Sequence, residues 1–192
     1  MSSLINIHSV IPSSRVNGPG SRMVIFFQGC NQDCYGCFNP DTHSFDKINL
    51  YKPEDIFKKH LRKGIEGITI SGGESFLQAK GLYLLLKAAR CVYNLTTVVY
   101  TGFEYNNLKK DSDCNSCFEF IDVLIDGRYE ESKKENSLLA RGSTNQRFYF
   151  FTSRYVQKDF YMPAKAEITI GRDGIVTKTG FIRIDITTGS LK

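Results

Sequence analysis

The stretch FFQGCNQDCYGCFNPDT, from Phe26 to Thr42, carries Cys30, Cys34 and Cys37 in a C-x3-C-x2-C spacing. It follows at once on RMVIFFQ (Arg22 to Gln28), an apolar run that reads as a buried strand. A strand that empties into a cysteine loop sets the reading of the whole chain. Three thiolates can hold three irons of a [4Fe–4S] cluster and leave the fourth iron open, whereas an electron-storage cluster takes four cysteines. Such an open position can accept a substrate, as it does in catalytic zinc sites. Spacing alone also admits a second ligand set. His43 completes C-x3-C-x2-C-x5-H, a workable Cys3His zinc site and hence a zinc-stabilised binding module without catalysis.

Outward from the loop the pattern alternates. PEDIFKKHLRKG (Pro53 to Gly64) reads as a helix, with proline and acids in its first turn and glycine at its end. GITIS (Gly67 to Ser71) is a strand that runs into Gly72, Gly73 and Glu74. A helix over Gln78 to Asn94 follows, then the strand TTVVYTG ending at Thr101 and Gly102. The strand FIDVLIDG ends at Asp126 and Gly127, and RFYFFT (Arg147 to Thr152) reads as a fifth strand. Strands alternating with helices imply parallel βαβ units, in which ligands collect at the carboxyl ends of the strands. The cysteine loop, Gly72-Gly73-Glu74, Thr101-Gly102 and Asp126 are therefore expected on one rim. The tail AEITIGRDGIVTKTGFIRIDI (Ala166 to Ile186) alternates about Asp173-Gly174 and reads as an antiparallel hairpin added to the main sheet.

The totals agree with a single soluble domain. The 192 residues are 41% hydrophobic and 23% charged, with a net charge of +5. A chain this long buries about 70% of its unfolded surface and needs no staples. Its basic pairs, Lys58-Lys59, Arg62-Lys63 and Lys133-Lys134, read as solvated faces rather than a nucleic-acid footprint. No apolar run is long enough to cross a membrane, and the first twenty residues lack a secretory pattern. The expectation is a cytoplasmic protein, where clustered cysteines mean metal or redox chemistry. Cys114 and Cys117 read as ordinary thiols in a loop and helix start, and Cys91 as helix core.

With the motifs in order, the chain resembles the radical S-adenosylmethionine (SAM) enzymes. Within them it is similar to the activating enzymes of anaerobic ribonucleotide reductase. The similarity rests on RVNGPGSRMVIFFQGC, CFN, Gly72-Gly73-Glu74, YTGFEYNNL, IDVLIDGRYEE and ARGSTNQR, and spans about residues 5–150. It implies an incomplete parallel (β/α) barrel in one domain, 1–192, with a core of about 5–152 and a C-terminal β extension of about 153–192. It implies a [4Fe–4S] cluster on Cys30, Cys34 and Cys37 and SAM as cofactors. SAM contacts are expected from Gly72, Gly73, Glu74, Thr101, Gly102, Asp126, Phe38 and Asn145, with Glu74 accepting from the SAM amino group.

The implied activity is reductive cleavage of SAM to a 5′-deoxyadenosyl radical, which takes a hydrogen atom from a glycine of a protein partner. A flavodoxin- or ferredoxin-type protein would supply the electron. A radical SAM enzyme acting on a peptide or small molecule is the neighbouring alternative. Three departures from the usual pattern stand out. Gly-Gly-Glu replaces Gly-Gly-Asp, Gly36 stands where most radical SAM proteins carry an aromatic residue, and the chain runs about 45 residues past ARGSTNQR. Phe38 or Tyr35 is expected to supply the missing aromatic surface.

Overall fold

A computed structural model describes residues 4–171, 174, 176–181, 184–185 and 190–191. Seven strands form one sheet, in the order β3-β1-β2-β4-β5-β6-β7. Its centre is β2 (Arg22–Phe27), β4 (Gly67–Gly72), β5 (Thr96–Thr101) and β6 (Val123–Asp126), all mutually parallel. The crossovers carry α1 (Pro53–His60) and α2 (Ala79–Cys91), then the short helices α3 (Tyr105–Leu108) and α4 (Ser112–Cys117). A parallel neighbour needs such a crossover, and the sequence has one wherever the strands run parallel. The chain is thus α/β with a mixed sheet whose core is parallel.

Three features depart from the sequence reading. A strand before the cysteine loop, β1 (Ile5–Ser14), pairs antiparallel with β2 and also holds the short β3 (Leu50–Tyr51). Register shifts between Ile7 and Ser9 and between Ile11 and Ser14 break its alternation, which hides it from a period-two reading. The fifth strand of the reading, β7 (Arg147–Phe150), runs antiparallel to β6, because no crossover helix separates them.

The C-terminal hairpin is present as β8 (Ala166–Ile170) and β9 (Val176–Gly180), with Ala166 opposite Gly180 and Ile170 opposite Val176. It forms its own two-stranded sheet and is not an addition to the main one. Asp173 and part of the following alternation, including Ile182 and Ile186, lie outside the described residues.

Alternation along the strands divides the core. Met23, Ile25, Phe27, Ile68, Ile70, Val99 and Leu124 face the helices and pack on Phe57, Leu82, Leu85 and Leu86. Val98, Val123 and Ile125 face the other way and pack on Leu139, Ala140, Phe160 and Met162, beyond the last segment of helix. Cys114 and Cys117 lie buried on α4 as core thiols, and burial pushes both up to about 12. Cys91 is exposed at the end of α2, not core, because the buried stripe of the helix runs through Leu82, Leu85, Leu86 and Ala89 and Cys91 is out of phase with it.

Candidate cofactor site

The site begins where the parallel strands end. Past β2 the chain turns at Gly29 and enters the cysteine loop, and past β4 it turns through Gly72 and Gly73. These two turns are locked together by backbone hydrogen bonds. Gly73 N–H donates to the Phe27 carbonyl and Glu74 N–H to the Gly29 carbonyl, both at 2.8 Å. The approach is so close that a Cβ on Gly73 would stand 2.3 Å from the Gly29 oxygen. The glycine pair therefore lets one strand end dock against the root of the cysteine loop.

Glu74 ties in the next strand. Its carboxylate is buried and accepts from Thr101 Oγ1 at 2.9 and 3.0 Å, from Gly102 N–H at 2.8 Å and from Phe76 N–H at 3.1 Å. The last of these caps the short turn Ser75–Gln78. Burial outweighs these donors and pushes the Glu74 carboxyl up to about 7. Phe76, Thr101 and Gly102 already fill much of the acceptor capacity of a carboxylate.

Cys30, Cys34 and Cys37 are half-buried and line one cleft with Phe38, His43, Gly72, Gly73, Glu74, Thr101 and Gly102. The cleft encloses about 820 Å³ of empty space, part of it open to solvent. Asn39 N–H points at Cys37 Sγ at 3.4 Å. Burial, foremost, raises the Cys30 thiol above its usual value, and the neighbouring Glu74 and thiols add to it. Bound cationic iron reverses that order, since a coordinating thiol is deprotonated outright. Among the described residues no set of three His, Cys, Asp or Glu side chains is gathered around a single ion. Three soft donors on one loop, facing a cleft with room for a second ligand, fit an iron–sulfur cluster with a vacant position.

The structure accounts for Gly36. A Cβ there would lie 2.1 Å from Glu131 Oε2, and the backbone has φ of +77°. The left-handed backbone is what disfavours an aromatic residue at this position, and the Glu131 side chain would also have to move aside. Phe38 faces the cleft instead and packs on Tyr129 at 5.0 Å between ring centres, while Tyr35 is 87% exposed.

Two expected contacts do not join the cleft. Asp126 is fully buried and engaged by Arg147 Nε at 3.0 Å, Arg147 Nη2 at 3.1 Å and Tyr105 N–H at 2.7 Å. It fastens β7 and α3 to β6, because its side chain turns to the helix side of the rim. Asn145 donates to the Arg128 carbonyl at 2.8 Å and borders a separate surface hollow with Arg128 and Arg147. Its neighbour Gln146 lines the cleft in its place, with Nε2 donating to the Gly127 carbonyl and Oε1 accepting from Gly142 N–H. Gln146 belongs to the ARGSTNQR element that the resemblance marks for a SAM or partner role, whereas Asn17, Gln32, Tyr100, Tyr129 and Phe181 are lining residues that the sequence reading missed. Asn17 and Tyr129 lie inside the quoted motifs RVNGPGSR and IDGRYEE, a signal that was available. Phe181 lies in the stretch read as the C-terminal hairpin, outside the motifs that carry the resemblance.

A cysteine loop, a glycine pair and an acid on one rim of a parallel sheet define a radical SAM type of site. Residues 16–149 match the family described as a 4Fe-4S single cluster domain. The anaerobic ribonucleoside-triphosphate reductase-activating protein of Pasteurella multocida is 33% identical over 159 residues, covering 77% of this chain and 99% of that protein. The protein of the same name from Enterobacteria phage T4 is 30% identical over 76% of this chain and 94% of its own length. The pyruvate formate-lyase-activating enzyme of Clostridium pasteurianum is 36% identical over 54% of this chain and 46% of its own. The chain belongs to the anaerobic ribonucleoside-triphosphate reductase-activating family, the glycyl-radical activases of the radical SAM type. Its cofactors are accordingly a [4Fe–4S] cluster and SAM, and the zinc reading falls.

Proposed function

We propose that the protein installs a glycyl radical on an anaerobic ribonucleoside-triphosphate reductase. The observation that carries this reading is the meeting of Cys30, Cys34, Cys37 and Gly72-Gly73-Glu74 in one cleft at the carboxyl ends of parallel strands. In it, Cys30, Cys34 and Cys37 would hold the cluster. When bound, the cluster and SAM supply reductive cleavage of the sulfonium and removal of a hydrogen atom from a partner glycine. The chain's own part is placement. The Gly72-Gly73 turn and the Thr101-Gly102 end, held in register by Glu74, form the polar end that receives the amino-acid part of SAM. Glu74 acts there as an organiser of the rim, its oxygens being engaged within the fold. Phe38 and Tyr129 give the cleft an apolar wall that limits water near the reacting atoms.

We further read the sheet as an incomplete barrel of the radical SAM type, in one domain spanning 1–192. A flavodoxin- or ferredoxin-type donor serves it in the cytoplasm. No helix among the described residues is long and apolar enough to cross a membrane.

Anaerobic reconstitution is expected to load about four irons per chain, lost in Cys34→Ala. Mixed with SAM, reductant and a competent reductase, the protein is expected to give a glycyl-radical doublet in electron paramagnetic resonance. SAM cleavage without that doublet, on a reductase that its own activase does activate, would move the target to another peptide or small molecule.

A further inference from the structure

The match to the family ends at residue 149, and the Pasteurella relative is spanned almost whole by 77% of this chain. The segment after β7 lies past the residues that the family model matches. It does not lie apart from the site. It crosses the sheet face opposite the helices and is held at both sides. Asn17 Nδ2 donates to Thr179 Oγ1 at 2.8 Å, and Arg15 N–H to Glu167 Oε2 at 3.0 Å. On the other side Lys165 Nζ donates to the Asn136 carbonyl at 2.6 Å. Phe181 N–H donates to the Lys165 carbonyl at 2.7 Å, which fixes the residue just past β9. Its ring then lines the cofactor cleft, 6.3 Å from Phe38 and 5.8 Å from Tyr100 between ring centres.

The cleft is therefore two-ended. One end is polar, at Gly73, Glu74, Thr101 and Gly102; the other is a wall of Phe38, Tyr129 and Phe181. SAM is two-ended in the same sense, with a charged amino-acid part and a flat purine. Seating the charged part on the polar rim brings the purine to the aromatic wall, where stacking on a ring is favourable.

We propose that Phe181, delivered by the C-terminal segment, is a SAM-binding residue that packs against the adenine. This rests on the cofactor reading given above.

The test is equilibrium binding of S-adenosylhomocysteine, which is not cleaved, to the cluster-loaded protein by anaerobic calorimetry. Phe181→Leu keeps apolar bulk but loses the flat face, and is expected to weaken binding roughly tenfold. Phe181→Tyr is expected to bind within about twofold of the parent, since the ring is retained. Equal affinity in Phe181→Leu overturns the inference while the cofactor reading stands, and a fall in glycyl radical with unchanged affinity would make Phe181 a partner contact instead. Equal weakening in both variants also overturns it, because packing with Phe38 and Tyr100 would then be the cause. A cluster-loaded parent that binds no S-adenosylhomocysteine removes the cofactor reading itself.

Discussion

The face of the sheet that meets the helices is dry and aliphatic, with Met23, Ile25, Ile68, Ile70 and Val99 packed on Leu82, Leu85 and Leu86. The opposite face carries Arg22, Thr69, Ser71 and Tyr100 on the same strands, one residue out of phase. There the fully buried Arg22 forms no ion pair among the described residues. Its guanidinium donates to Thr69 Oγ1 at 2.8 Å, the Ile68 carbonyl at 2.5 Å, the Pro19 carbonyl at 3.1 Å and Thr96 Oγ1 at 3.0 Å. Tyr155, from the C-terminal segment, closes over it with its ring centre 6.0 Å away. One face is held by burial of apolar area throughout; the other joins an apolar patch about Val98, Val123 and Ile125 to satisfied polar groups under a cover. The lesson is that the helix face sets stability whereas the opposite face shapes a site, and the two respond to different perturbations.

The largest expected effect lies on the helix face. Leu86 is fully buried on α2 within the main core. Leu86→Ala is expected to destabilise the fold by about 2–5 kcal/mol, as deletion of a buried leucine does. Denaturant unfolding of the cluster-free protein measures it. A cost well under 1 kcal/mol would mean that α2 is loosely seated and that the contrast between faces is wrong.

Glu74 sharpens the contrast at the rim. Burial raises its folded-state pKa from 4.5 to about 7, so folding favours the protonated form. Its contribution is fully present below about pH 4.5 and is lost as pH rises through about 7. In the cluster-free protein this is expected to remove on the order of 3 kcal/mol of stability across that window. Glu74→Gln is expected to flatten the slope. Unfolding curves of both proteins between pH 4 and pH 8, about the window cited, decide it. An identical slope in the variant would assign the titration elsewhere.

Much of the helix face was legible in the sequence, since α1, α2 and the four parallel strands follow from apolar periodicity and turn residues. The Gly-Gly-Glu was legible because it follows a strand directly, the cysteines because of their spacing, and Phe38 because it neighbours Cys37; all of them line the cleft. Asp126 shares the strand-end position but not the role: its side chain is taken by Arg147 and the Tyr105 N–H, a competition visible only in three dimensions. The orientation of β7 and the resting place of the hairpin were hidden for another reason. Alternation marks a strand but does not name its partner, and β8–β9 contacts the rest through isolated pairs such as Asn17–Thr179, far apart in sequence.

Arg22 tests whether the polar face is a source of stability or chiefly of shape. Arg22→Met keeps a long side chain but leaves the Ile68 and Pro19 carbonyls without their donor. The expected loss is about 2 kcal/mol, the cost of unsatisfied buried groups offset by apolar filling. Unfolding at neutral pH reads it. A variant more stable than the parent would show that burying the charge costs more than its hydrogen bonds return.

The smallest effect isolates the attachment of the C-terminal segment. Asn17 serves two masters: its carbonyl accepts from Thr69 Oγ1 at 2.7 Å, and its amide donates to Thr179 Oγ1 at 2.8 Å and Ser14 Oγ at 2.9 Å. Asn17→Ala removes only the side-chain bonds, so the link to Thr69 survives. Thr179 is buried, and losing its donor is expected to cost about 1 kcal/mol. That cost should fall on β8–β9 and, through the lost bond to Ser14, on the end of β1 rather than on the helix face. Amide hydrogen exchange separates the two cases: faster exchange confined to residues 166–180 and the end of β1 marks a locally released hairpin. Unchanged exchange there would leave Glu167 and Lys165 as the effective anchors and would detach Asn17 from the cover of the cleft.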